Sequence, residues 1–349
     1  MIPTGKAPAV FGRARSLIVP AMRTAVARLS AEMRPVAEYQ FGWSDADGHP
    51  VGGDGGKGVR PALAVLSAEV VGAAAELGIP GGVAVELVHN FSLIHDDVID
   101  GDDERRHRPT VWVLFGIGQA VIVGDALLAL AQQILLDPAG TLQLERVADG
   151  DAARRAARRI ADSTTSMIAG QALDMAFESL PNVDVEGCLA MEGGKTGALL
   201  GCAAAIGADL AGAPVEAVAA LDRFGFELGL AFQAVDDVLG IWGDPARTGK
   251  PAGSDLRQHK KTLPVAAALA SGGERAAELA ALLATPCLTD AQVARAAELV
   301  EKSGGREIST DEARRRLDAA LRALDSPSFV ARAQDELAEV AHFVIEREF

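Results

Sequence analysis

Two apolar runs in this sequence, VELVHNFSLI (85–94) and LGLAFQAV (228–235), lead into paired aspartates: Asp96 and Asp97 after the first, Asp236 and Asp237 after the second. Such runs read as buried helices, yet their charged ends cannot be buried without a counter-charge. A fold must therefore carry both helices through its interior and bring both acid pairs to water or to cations. On a helix, Asp96 and Asp100 lie one turn apart on one face, with Cβ atoms about 5–6 Å apart. Both sit near the helix C-terminus, where the dipole disfavours anions. A cation removes both penalties, and Mg²⁺ binds through one or two carboxylates plus substrate phosphate. A solvated acidic helix end is the plainer reading. The apolar approach argues against it, and so does the repeat at Asp236. Two acid walls facing across a cavity could hold several Mg²⁺ ions and a diphosphate.

The remaining sequence predicts an all-α fold. Hydrophobic residues make up 49% of the 349, while aromatics are only 4%. Alanine-rich sequence favours helices, whereas strands draw on Val, Ile, Thr and aromatics. Helices are expected over 9–39, 61–77 (ended by GIPGG), 82–100, 116–135 on a fully apolar face, 151–179 and 215–240. Residues 185–210 are small and apolar, and 262–349 reads as several amphipathic helices. The Gly-, Asp- and Pro-rich stretches 41–58 and 243–261 read as loops. No strand and no long linker stand out, so residues 1–349 are expected to form a single domain, with 1–8 a disordered lead-in.

A formal net charge of −15 argues against a nucleic-acid partner. It permits small phosphorylated ligands, because a local basic pocket with Mg²⁺ overrides the global sign. No run of about twenty uncharged apolar residues is seen, so no transmembrane segment is expected. Arg13, Arg15, Arg23 and Arg28, with no acid among them, faintly suggest a transit peptide. An amphipathic first helix is the preferred reading. Cys188, Cys202 and Cys287 lack metal spacing and read as reduced, buried thiols, pointing to the cytoplasm. Arg154, Arg155, Arg158 and Arg159 read as a solvated helix face.

Basic residues flank both acid clusters. Arg105 and Arg106 follow the first, Lys57 and Arg60 lie in GGKGVRP (55–61), and Lys250 and Lys260 follow the second. Arg clamps phosphate bidentately and Lys acts as a point charge. With these pieces in order, the chain from about 50 to 265 resembles the trans-isoprenyl diphosphate synthases (polyprenyl synthetases). GGKGVRP, HNFSLIHDDVIDGDDERR, GQALDM (170–175), KTGALL (195–200) and FQAVDDVLGIWGDPARTGKPAGSDLRQHKKTLP carry the resemblance.

The resemblance implies a helical bundle around a deep apolar cavity, commonly a homodimer, and Mg²⁺-dependent condensation of isopentenyl diphosphate with an allylic prenyl diphosphate. Asp96 and Asp100 would bind Mg²⁺, with Asp97 close by. Asp236, supported by Asp237, would hold a third ion from the opposite helix. Arg105, Lys195, Lys250 and Lys260 would hold the allylic diphosphate. Lys57, Arg60, His89 and Arg106 would hold that of isopentenyl diphosphate, although a histidine on an apolar face is usually a satisfied core residue. Thr196 and Gln233 would line the reacting centre, with Gln171 nearby.

No protein nucleophile is needed. Mg²⁺ and the basic residues stabilise the departing diphosphate. By the resemblance, the isopentenyl double bond would attack the allylic cation, and the departing diphosphate would take up the proton lost. A dry, apolar cavity keeps water from the cation. Phe91 and Ser92, five and four residues before Asp96, would set product length. The resemblance to family members with one aromatic there implies C20 geranylgeranyl diphosphate, with C15 farnesyl diphosphate next; Phe91 as plain core packing is the alternative. Gly240 stands where the family often has a third aspartate, with Asp255 as a neighbouring source of charge. Gly58 replaces a frequent arginine, and His107 and His259 replace common glycines. A class I terpene cyclase needs no isopentenyl site, so Lys57, Arg60, His89 and Arg106 speak against it, as does the lack of an Asn…Ser…Glu motif. Gly240 is the only support for a non-catalytic partner subunit.

Overall fold

The computed structural model describes residues 7–52, 58–144, 148–178, 180, 182–244 and 252–346. They are helical almost throughout, as expected: α1 (Ala9–Val26), α2 (Arg34–Gln40), α3 (Val59–Val70), a 3₁₀ turn (Ala75–Gly78), α4 (Ile79–Asp100), α5 (Val111–Phe115), α6 (Ile117–Leu136), α7 (Pro138–Leu142) and α8 (Gly150–Glu178). There follow α9 (Val185–Glu192), a π-helical turn (Gly193–Gly197), α10 (Ala198–Leu210) and α11 (Val215–Trp242). The C-terminal part adds α12 (Ser254–Arg257), α13 (Leu263–Ala270), α14 (Gly273–Leu283), α15 (Asp290–Lys302), α16 (Gly305–Ala323) and α17 (Ala331–Glu346).

Helices α3, α4, α6, α8 and α10 pack in a ring of neighbours, with α11 against α10, α16 against α11 and α17 against α3. Their shared core holds Phe224, Leu63, Leu66, Leu87, Ile94, Leu127 and Ile160 among its largest fully buried side chains. A smaller core joins Ile241 of α11 to Leu256, Val265, Leu279, Val293 and Leu299. Helix α11 contributes to both cores, since its Val235 lies in the first.

Several expected boundaries move. The 9–39 helix divides, because Pro35 in the first turn of α2 fits a helix start and not an interior. Arg34 Nη2 caps the end of α1 by donating to the Ala27 carbonyl at 2.7 Å. The GIPGG segment opens α4, with Pro80 in its first turn, and α3 has already ended at Val70. One hairpin exists where none was expected: Glu104–Arg105 pairs with Arg108–Pro109 across Arg106 and His107, both at positive φ. Two residues in that conformation make the turn type that suits a tight hairpin. His259 also has positive φ. A left-handed backbone is where glycine is unstrained, so the structure accounts for glycines being common at both histidine positions.

The cysteine reading is corrected at one site: Cys188 and Cys202 are buried, but Cys287 is exposed. The arginine reading also changes at one site. Arg159 ion-pairs with Asp209 and Asp222, joining α8 to α10 and α11, while Arg154 and Arg158 stay exposed. Two segments, Ala75–Asp100 and Ile117–Leu136, are long and apolar enough by length and composition alone to cross a bilayer, although each carries acidic residues, Glu86 in the first and Asp125 in the second. The first is 72% buried as a core helix. The second, α6, is not apolar-buried all round: Ile117, Val121 and Ile122 face outward.

Candidate active site

The end of α4 carries the first acid cluster, and Gly101 in the left-handed conformation stops the helix there. Asp96 is half-buried, and desolvation pushes its carboxyl up to about 6, with Lys195 opposing and Asp100 reinforcing the shift. Asp97 turns inward instead. Arg105, from the hairpin, grips its Oδ1 through Nε at 2.7 Å and Nη2 at 2.6 Å. Arg105 thus anchors the hairpin to the helix in this structure, besides standing at the cluster.

The second cluster separates in the same way. Asp236 is exposed, while Asp237 is 3% exposed. Asp237 Oδ1 accepts from Gln233 Nε2 at 2.8 Å, and Oδ2 accepts from the Leu263 backbone N–H at 2.8 Å. Thr196 donates to Gln233 Oε1 at 2.9 Å. Asp237 is therefore less a companion of Asp236 than the fixed end of a chain, Thr196–Gln233–Asp237, that also starts α13. Burial raises its pKa well above the carboxylate range, and Glu192 adds to this.

Cations bind the two clusters into one site. Lys195, on the π turn, pairs with Asp174 of α8 at 2.5 Å and acts on Asp96. That meeting depends on close approach: a Cβ at Gly170 would press on the Lys195 backbone N and lie 2.8 Å from Gly194 C. Lys260 sits 3.7 Å from Asp100. Burial opposes its charge, but Asp100, Asp255, Asp174 and Asp102 outweigh that and raise its pKa. A cavity of about 210 Å³ opens here, lined by Asp174, Lys195, Thr196, Gln233, Asp236 and Lys260. Asp255 lines it too, and its carboxylate fills the space beside Gly240 where a side chain would stand.

A second basic group forms beside the first helix end. Arg60 Nη1 lies 3.3 Å from His89 Nε2. Burial, then Arg60 and Arg106, hold His89 well below its usual 6.5, so its ring is neutral at pH 7. Glu86, not singled out in the sequence, is the buried counter-charge to Arg60 and Arg106. Asn90 donates to Glu86 Oε1 at 3.1 Å and accepts from Gln40 at 3.2 Å. Lys57 and Lys250 lie outside the described residues. Gln171 is half-buried, with its carbonyl oxygen shielded and unpartnered. Phe91 is 6% exposed and meets His95 edge-on, with centroids 4.8 Å apart. Ser92 Oγ bonds back to the His89 carbonyl at 2.9 Å.

The donor set fits Mg²⁺. Asp96 and Asp100 offer only oxygen, one turn apart, and the half-buried Asp96 carboxylate gains from a hard cation. An all-α fold with acids and cations converging on one cavity defines an enzyme that handles diphosphates with a metal. Comparison with known proteins agrees. Residues 49–300 match the polyprenyl synthetase family model. The (2E,6E)-farnesyl diphosphate synthase of Mycobacterium tuberculosis is 46% identical over 97% of this chain and 93% of its own length. The geranylgeranyl diphosphate synthase of the same organism is 44% identical over 95% and 94%. The crystal structure of a polyprenyl synthetase from Streptomyces coelicolor superposes with a TM-score of 0.89 at 52% identity, covering 97% of this chain and all of that one.

The chain belongs to the polyprenyl synthetase family. It is a prenyltransferase, a short-chain trans-prenyl diphosphate synthase.

Proposed function

We propose that this enzyme joins isopentenyl diphosphate to an allylic prenyl diphosphate and releases C20 geranylgeranyl diphosphate. The placement of Lys195 and Lys260 between the two acid clusters carries the reading, because it makes one site for a diphosphate and its counter-ions. Asp96, Asp100 and Asp236 would hold Mg²⁺, in a set of three ions. Bound Mg²⁺ would supply Lewis-acid neutralisation of the leaving diphosphate. Lys195, Lys260, Arg105 and Lys250 hold the allylic diphosphate as charge develops on it. Arg60, His89, Arg106 and Lys57 hold the isopentenyl diphosphate, with Glu86 keeping the two arginines in place. Thr196, Gln233 and Gln171 present amide and hydroxyl dipoles to the reacting carbons and keep ordered water from them.

Chain length rests on Phe91 beside the smaller Ser92, which leaves room for one further isoprene unit. The nearest-length rival is C15, and the 46% identity to a farnesyl diphosphate synthase favours it. We also propose a homodimer formed through the outward apolar face of α6, where Ile117, Val121 and Ile122 are exposed. The test is a product assay with Mg²⁺, farnesyl or geranyl diphosphate, and isopentenyl diphosphate, read by mass spectrometry. C20 from farnesyl diphosphate supports the proposal. Growth that stops at C15 replaces it with the farnesyl reading. Hydrocarbon or alcohol formed without isopentenyl diphosphate overturns both.

A further inference from the structure

Behind the cavity wall, Cys188, Glu192 and Asp237 bring a sulfur and two carboxylates together, with one ligand atom from each within 4.8 Å of the others. They are 0%, 2% and 3% exposed. Cys188 and Glu192 lie one turn apart on α9, and Asp237 faces them from α11. The Cys188 thiol lies 3.1 Å from Glu192 Oε1 and 3.3 Å from the Lys261 carbonyl. Glu192 Oε2 is buried and no donor reaches it. Asp237 lies within hydrogen-bonding range of Glu192, but both its oxygens already accept, from Gln233 and from Leu263 N–H. A second buried oxygen, Thr262 Oγ1, is also unpartnered. It stands between the Lys261 carbonyl and the Leu263 N–H in sequence, both of them already tied to this cluster.

Two carboxyls facing each other here need either a shared proton or a cation between them. Arg316 acts on Glu192, but it is itself bound to Glu227 and Glu312. The cavity reaches the place, since Glu192, Asp237, Lys261 and Thr262 all line it.

We propose that Cys188, Glu192 and Asp237 form a site for a thiophilic divalent cation, of the Zn²⁺ or Co²⁺ class, distinct from the Asp96–Asp100–Asp236 carboxylates. The sulfur decides the class: Mg²⁺ takes oxygen ligands, whereas thiolate selects softer ions. Three protein ligands leave a fourth position, which the Thr262 hydroxyl or water from the cavity completes. On binding, the Cys188 S–H proton and the proton shared by Glu192 and Asp237 pass to solvent, and bonds from the metal to sulfur and to the carboxylate oxygens replace them. An ion here draws on Asp237 and hence on the orientation of Gln233, which couples the site to the cavity wall.

The test uses the full-length Cys287→Ser protein, which lacks the exposed thiol, stripped of metal and titrated with CoCl₂ in excess MgCl₂. A sulfur-to-cobalt charge-transfer band that saturates at one equivalent is expected. Cys188→Ser abolishes the band, Cys202→Ser keeps it, and the isosteric Glu192→Gln weakens cobalt binding by roughly tenfold or more. Melting curves establish that each variant is folded, and if Cys188→Ser is not, Glu192→Gln decides. No band, or a band that survives Cys188→Ser or binds equally in Glu192→Gln, overturns the site. The titration needs no turnover, so it stands or falls apart from prenyl transfer.

Discussion

Gly240 shows how one residue can be replaced by another from a different segment. A Cβ there would fall inside the Asp255 carboxylate, so that carboxylate occupies the volume a side chain at 240 would need. The acid absent from the second motif is thereby supplied from α12. Even Gly240→Ala overpacks this contact, at about 1–3 kcal/mol. We expect it to lower both the melting temperature and kcat/KM, Gly240→Asp to do so more, and Gly240→Asp with Asp255→Gly to recover much of the loss. A Gly240→Asp enzyme as active as the parent refutes this account. Asp96 sets a pH dependence. Its carboxyl titrates at about 6 in the folded, metal-free protein against 3.8 in the unfolded chain, so the folded form binds the extra proton between these values. Stability therefore falls as pH rises through that window, by at most ~3 kcal/mol, and stays lost above it. Mg²⁺ with diphosphate reverses this loss. The ligand-induced rise in melting temperature should be larger near neutral pH than near pH ~5, and Asp96→Asn should abolish the difference.

At the scale of elements, the site depends on how closely α8 meets the π turn. Gly170→Ala forces the Lys195 backbone away from α8 and breaks its meeting with Asp174. We expect a stability loss of about 1–3 kcal/mol and a fall in kcat larger than any rise in KM, measured by denaturant melts and steady-state kinetics. Asp174→Asn, which leaves α8 in place, should reproduce the kinetic loss with little change in melting. This contact also marks the limit of what the sequence discloses. The helices behind Asp96 and Asp236 were legible because apolar periodicity and the acid pairs are local signals. Asp174, Glu86 and Glu192 were not, since each matters through a partner 21 to 45 residues away or on another helix. The partners of Asp97 and Asp237 were hidden for the same reason. Neighbouring aspartates on a helix point about 100° apart, so one of each pair is held by protein partners, Asp97 by Arg105 and Asp237 by Gln233 and the Leu263 N–H, while the other is left more open. The break after Val26 was hidden because the alanine pattern continues past it, and only Pro35 signals a new start.

For the whole molecule, the outward face of α6 is the exposed apolar surface that a homodimer would cover. Light scattering should give twice the mass of one 36.1 kDa chain. Ile122→Asp should shift the protein to monomer, and an unchanged dimer would assign the interface elsewhere. A different long-range tie links the two ends of the chain. Arg13 of α1 bonds to Glu69 of α3 at 2.7 Å and to Glu336 of α17 at 2.5 Å, Arg332 reaches Glu69, and Phe11 meets Phe343 edge-on. In chain order α1 is synthesised some three hundred residues before α17. It therefore holds its apolar face without that partner until α17 has left the ribosome, and a chaperone that shields α1 in the interval would raise the yield of folded enzyme.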